Sequence, residues 1–250
     1  MDLKDVWDEQ YNNNIETALK DKNLFQLELD AIKLKIKEFL DSSSENIINI
    51  LELGSGTGLL AEEIMNEFKN YNLEIYYTGI DFSLNAVKTA NNRNIKNTTF
   101  IENDFLSFLE KDKKEYNIIL TQRSIMAIME EKEQNKMLDL IEKKTKNIGI
   151  FSECTEEGFN NLNELRKKLK LKDLEKVWHS RYLTKNQLDK YFINYNIEDF
   201  SSIYYLITRI IYPYFEEPKH NTVLADFAAS LKQEGDYSFL KLITFYKTNK

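Results

Sequence analysis

The chain has 250 residues, 42% of them hydrophobic and 12% aromatic, a composition that folds and buries a core despite 30% charged side chains. A net charge of −7 opposes binding to a phosphate backbone without a local basic stripe, and the groups Lys111, Lys113, Lys114 and Lys167, Lys168, Lys170, Lys172 read as solvated helix faces. The lone cysteine, Cys154, excludes an internal disulfide or a cysteine-built zinc site, and the start "MDLKDVWDEQ" has no apolar signal core. No run approaches the ~18 apolar residues of a membrane span, so a soluble, cytoplasmic protein is expected.

In chain order, residues 1–45 read as helical, with Phe25, Leu29, Ile32, Ile36 and Phe39 forming one apolar stripe that "DSSSEN" (41–46) ends. From about 47 to 154, short apolar runs alternate with helical patterns, as in a parallel sheet covered by helices. The predicted strands are 47–53, 74–80, 98–102, 116–121 and 148–154. Helices are predicted from near Leu59, Ser83 and Lys132, with a short helical turn over Asp104–Leu109. After residue 155, "EEGFNNLNELRKKLKLKDLEKVW" and "TKNQLDKYF" read as helices, and "IEDFSSIYYLITRIIY" (197–212) as containing a strand. "YPYFEEP" reads as a loop, 221–233 as a helix, and "SFLKLITFYKT" as the last strand. One domain is expected: N-terminal helices (1–45), a ligand-binding core (46–155), an acceptor-binding region (156–235) and a final strand (236–250).

The stretch "ILELGSGTGLL" (50–60) places three of the chain's 7 glycines on alternate positions after a strand. A strand, a glycine-rich turn and a helix form a site for a nucleotide-like ligand, because backbone without Cβ atoms approaches the ligand and the helix start offers free N–H groups. Gly54, Gly56 and Gly58 give G-x-G-x-G, where a dinucleotide site has G-x-G-x-x-G. Glu52 precedes them, where a carboxylate would lie close to a bound cofactor.

This pattern resembles the first motif of the class I S-adenosylmethionine-dependent methyltransferases, apolar-apolar-acid-x-G-x-G-x-G. "TGIDFSLNAV", "ENDF" and "YNIILTQRS" match later motifs of that family in order. The resemblance implies a Rossmann-like fold: a seven-stranded, mostly parallel sheet with an antiparallel last strand and a helical lid insertion. It assigns Asp81 to the ribose hydroxyls, Asp104 to the adenine amino group and Phe105 to the ring. Ser55, Phe82, Asn103 and Gln122 complete the implied cofactor set, and Trp7 and Tyr11 are placed to close over S-adenosyl-L-methionine from the N-terminal segment.

No proline-rich amino-methylation turn follows the fourth strand, where the chain reads "TQRSIM", and no metal-ligand spacing stands out. Nucleic acid, membrane and metal are therefore not expected, and a homodimer is possible. Further segments resemble methyltransferases from bacterial capsule, lipopolysaccharide and flagellar-glycan clusters through Arg123, Glu153, Gly158, Leu162, Asn163, Arg166, Trp178, His179, Tyr204, Tyr205 and Arg209. Ala127 and Ser180 replace asparagines usual in that group.

His179 is the best candidate base, since an imidazole pKa near ~6.5 suits proton uptake at neutral pH. Glu153, at the end of the fifth strand, is expected to be base, acceptor ligand or support for His179. Arg123, Arg166 and Arg209, with Tyr182 and Tyr205, would bind an anionic or sugar-linked acceptor for O-methylation. The competing readings are a small-molecule N-methyltransferase, a NAD-dependent oxidoreductase and a catalytically silent cofactor-binding subunit.

Overall fold

The computed structural model describes residues 20–215 and 220–247. Helix α1 (Lys22–Ser42) starts where the Asp21 side chain accepts the Leu24 N–H, and it buries the predicted stripe from Phe25 to Phe39. The alternating region follows as β1 (Ile47–Leu53), α2 (Leu59–Glu67), β2 (Glu74–Asp81), α3 (Leu84–Asn92), β3 (Thr98–Glu102), α4 (Phe105–Lys111), β4 (Tyr116–Gln122), α5 (Glu131–Lys144) and β5 (Thr145–Cys154). Then come α6 (Glu156–Lys168), α7 (Lys185–Tyr191), β6 (Tyr195–Glu198), α8 (Ser202–Tyr205), a π-helix (Leu206–Ile211), α9 (Tyr212–Phe215), α10 (Val223–Ser230) and β7 (Leu240–Tyr246).

The strands form one seven-stranded sheet of order β3-β2-β1-β4-β5-β7-β6. The first five are mutually parallel, and β7 runs antiparallel to both β5 and β6. Both faces are covered: Ile48 and Ile50 of β1 join one apolar cluster with α1 and α2, and Leu51 and Leu53 join the other with α4 and α5. From β1 the chain winds outward through β2 and β3, then returns to start β4 on the opposite side of β1. That reversal opens a crevice at the C-terminal ends of β1 and β4, where ligands of such sheets bind.

Two expectations after residue 155 are corrected. The strand expected within 197–212 is the four-residue β6, which overlaps only its first two positions. From Ser202 the chain is helical to Phe215, and Tyr204, Tyr205 and Thr208 are buried in it. Part of the predicted "YPYFEEP" loop is accordingly helix α9. The long helix expected through Trp178 stops at Lys168. Lys170 there takes a positive φ of 58°, and residues 171–177 have no regular structure.

Gly149 of β5 faces Phe245 of β7, and a Cβ there would lie 2.0 Å from the Phe245 ring. That ring stacks on Phe192 at 4.2 Å and tilts against Phe151 at 5.5 Å, so it has nowhere to go. Gly149→Ala is expected to cost about 1–3 kcal/mol as overpacking, read as a lower urea midpoint with an unchanged slope.

Candidate active site

The glycine turn is held by β2. The N–H groups of Gly54 and Ser55 both donate to the Ile80 carbonyl, at 2.8 and 3.0 Å, and Gly56 N–H donates to the Asp81 carboxylate at 2.8 Å. Gly54, Gly56 and Gly58 all take left-handed φ, at 87°, 49° and 76°. A Cβ on Gly54 would meet the Ser124 Cβ at 2.4 Å, and one on Gly58 would meet the Ala90 Cβ at 2.9 Å. Two of the three glycines thus let protein pack on protein, and Gly58 seats α2 against α3 rather than lining the crevice. Gly54, Ser55, Gly56 and Thr57 do line it.

Around the turn, the crevice has two sides. Asp81, Phe82, Phe105, Leu59 and Leu60 form one; Gln122, Arg123, Ser124, Met126, Ala127, His179 and Ser180 form the other, with Phe25 of α1 also on the wall. Phe82 and Phe105 meet edge to face at 6.4 Å and offer an apolar slot beside the Asp81 carboxylate. Asp81 is buried, and its second oxygen accepts the Ser83 N–H at 2.9 Å. The hydroxyls of Ser55 and Ser180 are buried on the crevice wall without a partner among the described residues. Buried polar groups are normally satisfied, so these two point to a polar ligand.

Not every expected cofactor residue reaches the crevice. Glu52 is 1% exposed behind the turn, and its carboxylate accepts the Tyr77 hydroxyl at 2.8 Å. Burial, with Asp81 nearby adding repulsion against the Tyr77 hydrogen bond, pushes its pKa up to about 8. Asn103 donates its N–H to the Asp81 carbonyl, and exposed Asp104 caps α4 by accepting the Ser107 N–H at 2.9 Å. Both stand beside Phe105 rather than on the crevice wall. Trp7 and Tyr11 lie outside the described residues.

The expected catalytic pair is also separated. Glu153 is fully buried, and its carboxylate accepts three N–H groups, from Ser124 (3.0 Å), Ile125 (2.9 Å) and Met126 (3.1 Å). Burial outweighs those donors and pushes its pKa up to about 7. It builds the turn after β4 and does not line the crevice. His179 does line the crevice, edge to face with exposed Trp178 at 5.0 Å. Burial, with the Lys20 charge, holds its pKa below the usual imidazole value, so the ring is neutral at pH 7.

Of the expected acceptor residues, only Arg123 reaches the crevice. Arg166 donates to the carbonyls of Lys172 and Arg209, which ties the end of α6 to the π-helix. Arg209 bonds His220 and Asp21 and lies over the Tyr205 ring at 5.3 Å. His220, itself exposed, belongs to that cluster. Tyr182 and Tyr205 are buried against Phe239, stacked and edge-on respectively. Tyr182, in the segment before α7, and Tyr205, on α8, both belong to the buried apolar cluster.

Sequence reasoning missed Glu28. This α1 residue has no exposed surface, and its carboxylate accepts from Gln122 Nε2 (2.8 Å), Arg123 Nη2 (3.0 Å) and Ser152 Oγ (2.5 Å). The signal was present: an acid three residues after Phe25 falls on the apolar stripe, where a charge needs buried partners. Gln134 was also missed. Its amide donates to the carbonyls of Ile125 (3.2 Å) and Arg181 (3.0 Å), joining the two loops that carry Met126 and His179.

Comparison with known proteins agrees with this geometry. Residues 44–203 match a family described as a methyltransferase domain. A malonyl-[acyl-carrier protein] O-methyltransferase from Ilyobacter polytropus is 27% identical over 183 residues, 72% of this chain and 66% of that protein. A release factor glutamine methyltransferase from Fusobacterium nucleatum is 36% identical over 77 residues, 29% of this chain and 20% of its own length. Less than two thirds of either relative is therefore spanned. In fold, the chain is similar to magnesium protoporphyrin IX methyltransferase from Synechocystis with bound S-adenosylhomocysteine (TM-score 0.61, 10% identity, 98% of each chain). It is also similar to the plantazolicin methyltransferase (TM-score 0.57, 16% identity, 98% of this chain and 90% of that one).

The fold and crevice define a class of group-transfer enzyme built on a Rossmann-like sheet. Within it, the chain belongs to the methyltransferase family.

Glu52 gives a pH signature. Its folded-state pKa of about 8 lies above the ordinary 4.5, so its contribution to stability is complete below pH 4.5 and is lost as pH rises through 8. Relative to Glu52→Gln, the wild-type melting temperature is expected to fall steadily between pH 5 and pH 8. A difference independent of pH contradicts this.

Proposed function

We propose that the chain O-methylates a small anionic or sugar-linked acceptor, with Arg123 and Ser180 engaging the acceptor and His179 taking its hydroxyl proton. The observation that carries this reading is a neutral imidazole on the crevice wall beside the buried, unpartnered Ser180 hydroxyl. The donor, when bound, supplies an electrophilic methyl group on a sulfonium. Asp81 would engage the ribose, Phe82 and Phe105 the adenine, and the turn from Gly54 to Gly56 the remaining polar groups.

What the chain itself contributes is placement and exclusion of water. Phe25, Leu60 and Met126 give the crevice an apolar lining, which strengthens each polar contact within it. Arg123 adds a guanidinium 28% exposed toward solvent, its charge anchored but not enclosed by Glu28. Ala127 and Ser180, short residues side by side on the wall, leave room where larger amides would stand. A surface-glycan setting rests on the sequence resemblance alone, because Arg166, Tyr204, Tyr205 and Arg209 of that resemblance serve packing and internal hydrogen bonds.

A second reading is methylation of a carboxylate. Arg123 on the wall favours it, and the malonyl-[acyl-carrier protein] relative is an O-methyltransferase. A carboxylate is already a nucleophile and needs no base. The two readings separate on His179→Ala, assayed as S-adenosylhomocysteine release with a panel of uronates, sugar phosphates and nucleotide sugars. With a hydroxyl acceptor, the variant is expected to lose 10²–10⁴-fold in kcat and the wild-type rate to fall in acid, at a pH below that of an ordinary imidazole. With a carboxylate acceptor the loss is expected to stay within a few-fold. No turnover with any class of anion overturns both.

The acceptor's charge has its own readout. Arg123→Ala is expected to raise KM for an anionic acceptor about tenfold or more while leaving a neutral analogue within threefold, consistent with loss of a charge-assisted contact.

A further inference from the structure

We propose that Glu28 is a positioning residue for the methionyl end of the cofactor: it turns the Gln122 amide so that its oxygen faces the crevice and receives the cofactor's ammonium group. The inference rests on S-adenosylmethionine being the donor and goes beyond it by assigning a role to an α1 residue that does not itself line the crevice.

A carboxylate without a proton only accepts hydrogen bonds. Gln122 must therefore present its NH₂ to Glu28, and it does so at 2.8 Å. The amide oxygen then points away from that contact and has no partner among the described residues, while Gln122 lines the crevice. An oxygen fixed in that direction selects a donor, and a cationic donor above all. The rotation is not available to chance: Glu28 is itself fixed by Ser152 Oγ at 2.5 Å on its other oxygen and is wholly buried.

The placement suits the methionyl end. Asp81 ends β2 and Gln122 ends β4, with β1 and its glycine turn between them. Two strand spacings put the two residues about 10 Å apart, the reach from a ribose to the amino-acid end of the same molecule. Ser124 touches Gly54 from the β4 side and donates to the Leu53 carbonyl, so the segment carrying Gln122 borders the turn directly.

Arg123 shares the same Glu28 oxygen at 3.0 Å, and it stands in a left-handed conformation, φ 55°, held by its N–H on the Ser152 carbonyl at 2.7 Å. One buried acid thus sorts two adjacent crevice side chains, turning an acceptor out from one and keeping donors on the other.

The test uses two probes, S-adenosylhomocysteine and 5′-methylthioadenosine, which share the adenosyl thioether and differ in the amino-acid group. Wild-type binding of S-adenosylhomocysteine by calorimetry first checks the donor itself. Glu28→Met, which keeps length and removes the acceptor, is expected to weaken S-adenosylhomocysteine about tenfold or more and leave 5′-methylthioadenosine within twofold. Glu28→Gln is expected to rescue, since its amide oxygen can face Gln122 while its NH₂ faces the Ser152 hydroxyl. In a Gln122→Ala background, already weakened toward S-adenosylhomocysteine alone, Glu28→Met is expected to add no more than twofold. The proposal is overturned if Glu28→Met affects both probes equally or neither, if its effect persists undiminished without Gln122, or if Gln122→Ala leaves the ratio of the two affinities unchanged. The last arm stands even should Glu28→Met fail to fold.

Discussion

A carboxylate taken out of water must be surrounded by donors, and this fold answers that requirement twice at the edge of its sheet. Glu153 gathers three consecutive N–H groups of the turn after β4, and Glu28 gathers side chains from β4, its following residue and β5. The crevice is what lies between the chain segments these acids hold. Without the first, the Ser124–Ala127 turn would carry unsatisfied backbone; without the second, α1 would lose its polar tie to β4 and β5. Both contributions come from residues that the ligand never has to touch.

Polarity in the crevice is divided accordingly. On the β2 side stand a carboxylate and two aromatic rings; on the β4 side stand an amide, a guanidinium, an imidazole and a serine hydroxyl. The acids with the largest rise in pKa, Glu52 and Glu153, are both behind the wall. A perturbed pKa in these two acids marks burial in the scaffold, whereas His179, on the wall, is the base we propose.

The sheet was legible in the sequence because its cues are local. Apolar runs of strand length and the glycine turn act within a few residues of themselves, and β1 to β5 and β7 followed from them. Residues 197–212 were misread because β-branched and aromatic content is a weak strand signal that tertiary packing overrides, here in favour of a helix that buries Tyr204, Tyr205 and Thr208. The crevice was half legible. Residues on the turns after β1, β2 and β4 arrived where the motif order placed them. Glu153, Arg166, Arg209, Tyr182 and Tyr205 did not, since nothing local distinguishes a side chain that satisfies buried backbone from one that meets a ligand. Glu28 was readable as a charge on an apolar stripe, but its partners lie 94 to 124 positions away.

The antiparallel pairing of β7 with β5 has a bearing on how the crevice is assembled. Cys154 and Leu240 face one another in that ladder, so everything from residue 155 to 239 departs and comes back at adjacent points of the sheet. That segment is still tied into the sheet, through β6 on β7 and the Phe192 ring on Phe245. His179 and Ser180 belong to it, whereas Gln122, Arg123 and the glycine turn precede it. One contiguous block therefore supplies part of the β4 side of the crevice wall, and the parallel strands supply the rest.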